Sequence, residues 1–270
     1  MLIYDRQGRF SPLRAATLAL CCAPALWLGW GLANDTLGPK TLEALNHETG
    51  VWSLRLLLAT LAISPLRLIT GWNKLITIRR MLGVSTFAYA FAHLVFYIAD
   101  QKFDLLKVAS EIALRFYLTI GFLSLLALGV LAATSFDAAV KRLGAARWNR
   151  LHSVVYPLTV LALWHAALQA KLKVSEPTIM AGLFVALMLV RFMRGRVPVN
   201  LVTLSALALL MLPLTAAIEY LWYAAATNIP AARVFAANFA LALAPRPALV
   251  TAMIVLALPL AAIAKRVRSL

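Results

Sequence analysis

The chain contains four histidines, and three of them lie in stretches that are otherwise almost entirely apolar. These three are His93, His152 and His165, whereas His47 lies among polar residues. An ionisable side chain is costly inside a lipid bilayer, so its presence there usually marks a functional site. Imidazole serves as an axial ligand of haem iron or as a relay for protons. The histidines therefore indicate haem binding or proton transfer within a membrane.

The stretches that carry these histidines belong to a set of eight apolar segments. The 270 residues are 63% hydrophobic and have a mean hydropathy of +0.84. A segment of about 20 apolar residues crosses a bilayer as a helix, because lipid offers no partner to an unpaired backbone group. The sequence therefore predicts an all-α integral membrane protein, a helical bundle of about eight transmembrane helices. The predicted spans are 13–33, 51–70, 81–99, 116–134, 151–170, 177–193, 199–223 and 248–264.

The charges of the chain predict its orientation in the membrane. Most Lys and Arg residues lie in the segments 6–14, 67–80, 141–150, 191–196 and 265–268, whereas most acidic residues lie in the alternate loops. Cytoplasmic loops carry the excess of basic residues, so both termini are predicted to be cytoplasmic. The net charge of +16 would suggest nucleic acid in a soluble protein. Here the charges flank apolar spans, and we expect membrane lipid as a partner and no nucleic acid.

The spacing of the histidines predicts how they lie in the membrane. The third and fifth spans run in the same direction, and His93 and His165 follow the span starts by 12 and 14 residues. Both lie at a depth of about 20 Å, where two imidazoles could bind one iron from opposite faces. His152 lies about 20 Å further toward the cytoplasm, where a second haem could bind. Its counterpart on the third span is Arg79 or Arg80, and arginine pairs with haem propionates rather than with iron.

The two histidines of the fifth span are not expected to lie on the same face of one ideal helix. On an ideal helix, His152 and His165 point about 140° apart. Pro157 lies between them and could distort the helix.

Simpler interpretations exist for each candidate residue. An intramembrane histidine can hydrogen-bond between helices, and His47 fits a solvated loop. Arg79 and Arg80 fit the excess of positive charge on the cytoplasmic side, and they could also bind anionic lipid. Arg55, inside the second span, could extend to the membrane surface or neutralise a propionate of the outer haem.

Five motifs in the central part of the chain resemble those of a known family. They are TGxW at residues 49–52, SPLR at 64–67, RRMLG at 79–83, RWxxLHxxxY at 147–156 and WH at 164–165. Together they resemble the MsrQ/YedZ family, the haem-binding membrane subunits of the bacterial periplasmic methionine sulfoxide reductase system. That family belongs to the ferric reductase-like transmembrane superfamily. The resemblance covers residues 50–171, and more loosely the first and sixth spans.

The resemblance implies a b-type cytochrome of the bacterial inner (plasma) membrane, with one or two haem b groups and with FMN or quinone as a further cofactor. It implies that electrons come from the quinone pool or a cytosolic flavin reductase. They would go to a periplasmic molybdopterin-dependent reductase subunit that repairs oxidised proteins. Such a chain is an electron-transfer subunit rather than the catalytic one. By motif, His93 and His165 would ligate the outer haem, and His152 an inner haem opposite Arg79.

The C-terminal part departs from the family pattern. Residues 1–196 match a six-helix ferric reductase-like haem-binding domain, and 197–270 form an extension with two further predicted helices. Glu219, in that extension, fits either solvation at the membrane surface or a role with quinone or protons. A ferric or cupric reductase and, less well, a membrane transporter or a haemless scaffold are the alternative functions.

Overall fold

The computed structural model describes residues 3–4, 7–240 and 244–268, with side chains described up to residue 263. Arg6 and the basic side chains of 265–268, which were used to predict orientation, lie outside this part. The described residues form thirteen α-helices, a 3-10 helix at Asn73–Ile78 and no named strand. The predicted all-α fold is confirmed. The helices are α1 Pro12–Ala33, α2 Thr41–Thr70, α3 Arg79–Asp100, α4 Leu105–Leu114, α5 Phe116–Ala133, α6 Asp137–Leu143, α7 Ala145–His152, α8 Val155–Ala170, α9 Ser175–Met193, α10 Leu201–Ala226, α11 Ala231–Ala237, α12 Pro247–Val255 and α13 Ala257–Arg268.

Seven helical segments of the described chain are long and apolar enough to cross a membrane, and they begin at Pro12, Thr41, Asn73, Phe116, Ala145, Ser175 and Leu201. The protein is therefore a multi-pass membrane protein. The predicted eighth span, 248–264, corresponds to α12 and α13, an apolar helical segment that is interrupted at Leu256 and whose side chains are described only to Ile263. That this segment crosses the membrane stays a prediction. Pro259 explains the interruption. It has no amide hydrogen to donate to the carbonyl of Val255, and its ring crowds that carbonyl.

The predicted fifth span consists of two helices, with a turn at Ser153 and Val154 between α7 and α8. Pro157 explains why α8 begins at Val155. Proline is tolerated in the first turn of a helix, where amide hydrogens have no helical partner, whereas further inside it removes a backbone hydrogen bond. His152 ends α7 and His165 lies in α8. The angle of about 140° expected for one ideal helix therefore does not describe this pair.

The helices group into two compact units. One consists of Met1–Thr60 and Thr77–His165, and the other of Leu61–Ile76 and Ala166–Leu270. These units describe packing alone, and α2 and α8 each contribute to both. The sequence predicted a different division, into a haem-binding domain of residues 1–196 and an extension of residues 197–270. That division stays a prediction.

The second unit is built around the close approach of α9, α10 and α12. A Cβ atom added to Gly182 of α9 would lie 2.5 Å from the Thr215 hydroxyl oxygen and 2.9 Å from a methyl carbon of Thr251. Membrane helices commonly pack through such small residues, because dispersion contacts replace the hydrophobic effect there. The neighbouring core is apolar, and it includes Val190 and Met211, neither of which is exposed.

A buried acidic group fastens the segment between α10 and α12. Glu219 of α10 is 1% exposed, so the solvated interpretation of this residue is wrong. Its carboxylate accepts hydrogen bonds from Asn238 at 2.6 Å and from Arg246 at 3.1 Å. Asn238 in turn accepts from the backbone amide of Ala248 at 3.1 Å. One carboxylate therefore holds both the connecting segment and the start of α12.

The proline inside α2 has a dedicated partner in the same unit. The carbonyl of Leu61 would normally accept from the residue four positions later, which is Pro65 and has no amide hydrogen. The guanidinium of Arg191 in α9 donates to this carbonyl at 2.7 Å. Arg191 therefore satisfies a buried acceptor that the proline leaves open.

Replacing Arg191→Met should lower the free energy of unfolding by about 2 kcal/mol, because a charged donor is lost from a buried carbonyl. The loss should be smaller in a Pro65→Ala background, where the chain regains a backbone donor. Unfolding of the detergent-solubilised protein measures both values. Equal losses in the two backgrounds would contradict this role for Arg191.

Replacing Glu219→Ala should lower the free energy of unfolding by about 3 kcal/mol, since Asn238 and Arg246 both lose a buried partner. Breaking a buried ion pair usually costs about 3–5 kcal/mol, and we expect the lower value because the Arg246 side chain is 32% exposed. Glu43→Ala is the control, as its pair with Lys40 is exposed to solvent and should contribute little to stability. Similar melting curves for the two variants would exclude a fastening role for Glu219.

Candidate functional site

The structure brings together two of the three candidate histidines. His93 lies in α3 and His165 in α8, and their ring centroids are 6.2 Å apart with the planes at 80°. Both side chains are half-buried. The two imidazoles are therefore neighbours within the first unit. The sequence predicted a shared depth for them.

The same hydrogen bond orients each of these imidazoles. The Nδ1 atom of His93 lies 2.7 Å from the carbonyl of Asn46, and that of His165 lies 2.7 Å from the carbonyl of Tyr117. A carbonyl can only accept, so the hydrogen is on Nδ1 in both rings. The Nε2 atoms then carry the lone pairs, which is the arrangement of metal-binding histidines whose second nitrogen donates to the protein.

A glycine one turn beyond each carbonyl makes room for the ring. An added Cβ at Gly50 would lie 2.9 Å from Nδ1 of His93, and one at Gly121 would lie 2.7 Å from Nδ1 of His165. Each imidazole therefore packs on a carbonyl and the glycine four residues later, on α2 for one and α5 for the other. The sequence reasoning missed both glycines. Their signal was the nearly equal separation of 43 residues from Gly50 to His93 and 44 from Gly121 to His165.

The pair has the separation that a shared iron atom requires. Metal–imidazole bonds of about 2 Å, with each nitrogen about 1 Å from its ring centre, place two centroids about 6 Å apart. Among the residues that the structure describes, no group of three or more His, Cys, Asp or Glu side chains could hold a metal ion. Two histidines at this separation suit a cofactor such as haem, in which the porphyrin supplies the remaining ligands of the iron.

His152 occupies a different place, beside the end of α5. Its ring stacks on Trp148 with centroids 3.9 Å apart, and its Nε2 lies 3.1 Å from the hydroxyl of Thr134. Trp148 donates to the Thr134 carbonyl at 2.8 Å. Thr134 follows Gly121, the neighbour of His165, by 13 residues, which corresponds to about 20 Å along a helix. His152 is therefore separate from the His93–His165 pair.

The candidate arginines Arg80 and Arg55 contact other side chains of the protein. Arg79 is the first residue of α3. Arg80 forms an ion pair with Asp137 at 2.5 Å. The guanidinium carbon of Arg55 lies 4.9 Å from the ring centre of Trp52, and the side chain is exposed. Roles for these arginines beside haem propionates stay predictions.

Comparison with known proteins identifies the family. Residues 49–163 match the family described as "Ferric reductase like transmembrane component", a range that holds His93 and His152 and ends just before His165. A protein of Rhodospirillum rubrum, named "Protein-methionine-sulfoxide reductase heme-binding subunit MsrQ", is 41% identical over 188 residues, which are 69% of this chain and 88% of the relative. The chain belongs to the MsrQ family. This confirms the resemblance of the motifs.

Two further MsrQ proteins are similar to this chain at nearly the same sequence identity. The relative from Azospira oryzae is 40% identical over 158 residues, covering 58% of this chain and 68% of its own length. The relative from Xanthomonas campestris pv. campestris is 40% identical over 182 residues, which are 65% of this chain and 83% of the relative. These MsrQ proteins are bacterial, which places this multi-pass chain in the inner membrane. No solved structure matches the chain.

Replacing Gly121→Ala should displace the His165 ring, because the new methyl group would overlap Nδ1 and Cε1. Losing the bond to the Tyr117 carbonyl should cost about 1–3 kcal/mol of unfolding free energy. Gly83→Ala is the matched control, since its Cβ would meet only a methyl carbon of Thr60 at an ordinary 3.7 Å. In a His165→Ala background the Gly121→Ala penalty should largely disappear, and a penalty that persists would refute the packing argument.

Proposed function

We propose that the protein is a b-type cytochrome that passes electrons across the inner membrane to the catalytic subunit of a methionine sulfoxide reductase. The observation that carries the proposal is the His93–His165 pair, with a 6.2 Å separation and both Nδ1 atoms bound to helix carbonyls. The names of the relatives, which specify a haem-binding subunit, support it independently.

In this function the chain binds and orients its cofactor, and bound haem supplies the storage and transfer of single electrons. His93 and His165 offer their Nε2 atoms as axial ligands. The carbonyls of Asn46 and Tyr117 fix the tautomer of each ring and raise its basicity. The surrounding apolar helices exclude water from the ligands.

An inner haem at His152, with Arg79 opposite, is the further part of the proposal. Binding there requires the Nε2 atom of His152 to exchange its contact with Thr134 for iron. Arg79 and Arg80, and Arg55 for the outer haem, would provide positive charge to propionates. The haem count per chain tests this part separately.

The proposed direction of electron flow is from the cytoplasmic half of the membrane to the periplasm, with both termini cytoplasmic. The proposed donor is the quinone pool or a cytosolic flavin reductase, with quinone or FMN as the corresponding cofactor. The proposed acceptor is a periplasmic molybdopterin-dependent subunit that reduces methionine sulfoxide in oxidised proteins. The MsrQ name of the relatives supports a reductase partner.

A ferric or cupric reductase is the second candidate, because the matching family is described as ferric reductase-like. In that case the outer haem would give electrons directly to a metal ion. Reoxidation of the dithionite-reduced protein by a ferric chelate at a rate independent of any periplasmic subunit would favour this candidate.

The deciding measurement is a reduced-minus-oxidised visible spectrum of the purified protein, with haem quantified per chain. Wild type should show sharp low-spin b-type bands, because two imidazoles bind the iron. His93→Ala and His165→Ala should each lose most of the outer haem, and His152→Ala should lose haem only if an inner group binds. His47→Ala, an exposed histidine in α2, is the control. A wild-type chain that binds no haem when haem is supplied in excess would refute the cytochrome.

A further inference from the structure

A chain of hydrogen bonds links the end of α3 to the start of α5, outside the contacts described so far. The hydroxyl of Tyr97 donates to the Glu111 carboxylate at 2.5 Å. The other oxygen of that carboxylate accepts from the guanidinium of Arg115 at 3.1 Å. Arg115 also donates to the hydroxyl of Tyr117 at 3.1 Å. Four side chains on three successive helical segments are thus joined in one network.

Both ends of this network lie next to the histidine pair. Tyr97 follows His93 by four residues, so it lies one turn further along the same face of α3. Tyr117 is the residue whose carbonyl accepts from Nδ1 of His165. The network therefore connects the helix that carries one imidazole to the carbonyl that orients the other.

Glu111 is the member of the network that joins Tyr97 of α3 to Arg115 at the start of α5. Its side chain is 18% exposed, whereas that of Arg115 is 52% exposed. The hydrogen bond to the Tyr117 hydroxyl and the charge of Glu111 raise the pKa of the Arg115 guanidinium. A second tie holds the same segment, as the Thr119 hydroxyl donates to the carbonyl of Ile112 at 2.6 Å. The short link between α4 and α5 is thus fastened by side chains at both of its ends.

We infer that Glu111 is a positioning residue, which holds the start of α5 against α3 and so fixes the Tyr117 carbonyl on Nδ1 of His165. This inference rests on the proposed function, because it assigns Glu111 an effect on a haem ligand. A weaker Nδ1–carbonyl bond makes the imidazole a poorer electron donor to iron, which favours the reduced state. Glu111 would thereby keep the potential of the outer haem low.

The test compares Tyr97→Phe, Glu111→Gln and Glu43→Gln in the full chain. Tyr97→Phe removes one bond of the network without changing any charge, and Glu43→Gln removes a negative charge from an exposed pair outside the network. We expect all three to keep the wild-type haem content. Tyr97→Phe and Glu111→Gln should raise the ratio of reduced to oxidised haem about threefold at a fixed potential, or ~30 mV, and Glu43→Gln should not. The electron paramagnetic resonance spectrum of the oxidised haem should change in the same two variants.

A second readout does not depend on haem. Amide hydrogen exchange over residues 112–121 should be faster in Tyr97→Phe and Glu111→Gln than in wild type, because the start of α5 loses its tie to α3. Wild-type potential and exchange in Tyr97→Phe would overturn the inference, as would equal potential shifts in Glu111→Gln and Glu43→Gln, which would indicate a charge effect at a distance. If wild type binds no haem, the proposed function fails, and the exchange measurement alone decides whether the network positions α5.

Discussion

The hydrogen bond from each imidazole to a helix carbonyl is the interaction on which the site depends. Inside a bilayer no water is present to satisfy a histidine donor, and an unpaired polar group there costs several kcal/mol. A helix carbonyl has a second lone pair, but side chains of the following turn usually cover it. Gly50 and Gly121 remove that cover at the two places where an imidazole approaches. The donor is satisfied at one nitrogen, and the other nitrogen is left with its lone pair for a metal.

Three prolines show how the same constraint shapes the helices. Each removes one amide hydrogen from a helical segment, and the chain responds differently in each case. Pro65 stays inside α2 because Arg191 replaces the missing donor. Pro157 lies in the first turn of α8, where the donor is not needed, and Pro259 lies just after the interruption at Leu256 between α12 and α13. The effect of a proline on its helix therefore depends on its position and on whether another group satisfies the carbonyl that it leaves free.

The C-terminal part applies the same principle with charged groups. Glu219 is buried in an apolar environment, and its cost is offset by direct bonds to Asn238 and Arg246. These bonds fasten the segment that connects α10 to α12, whose described residues include α11. The carboxylate thus has a structural role in the folded chain, in addition to any role with quinone or protons.

The sequence by itself determined the class of the protein, because hydrophobic run length and the exclusion of unpaired backbone groups from lipid admit only a helical bundle. Its motifs determined the family, and its spacing placed His93 and His165 at one depth, because the rise of a helix is fixed. Only the tertiary structure decided which way the rings face. That depends on a carbonyl and a glycine of a different helix, about 45 residues away in each case, and no local pattern encodes such a contact. It also decided that Glu219 is buried, because that depends on Asn238 and Arg246, distant residues that satisfy its carboxylate.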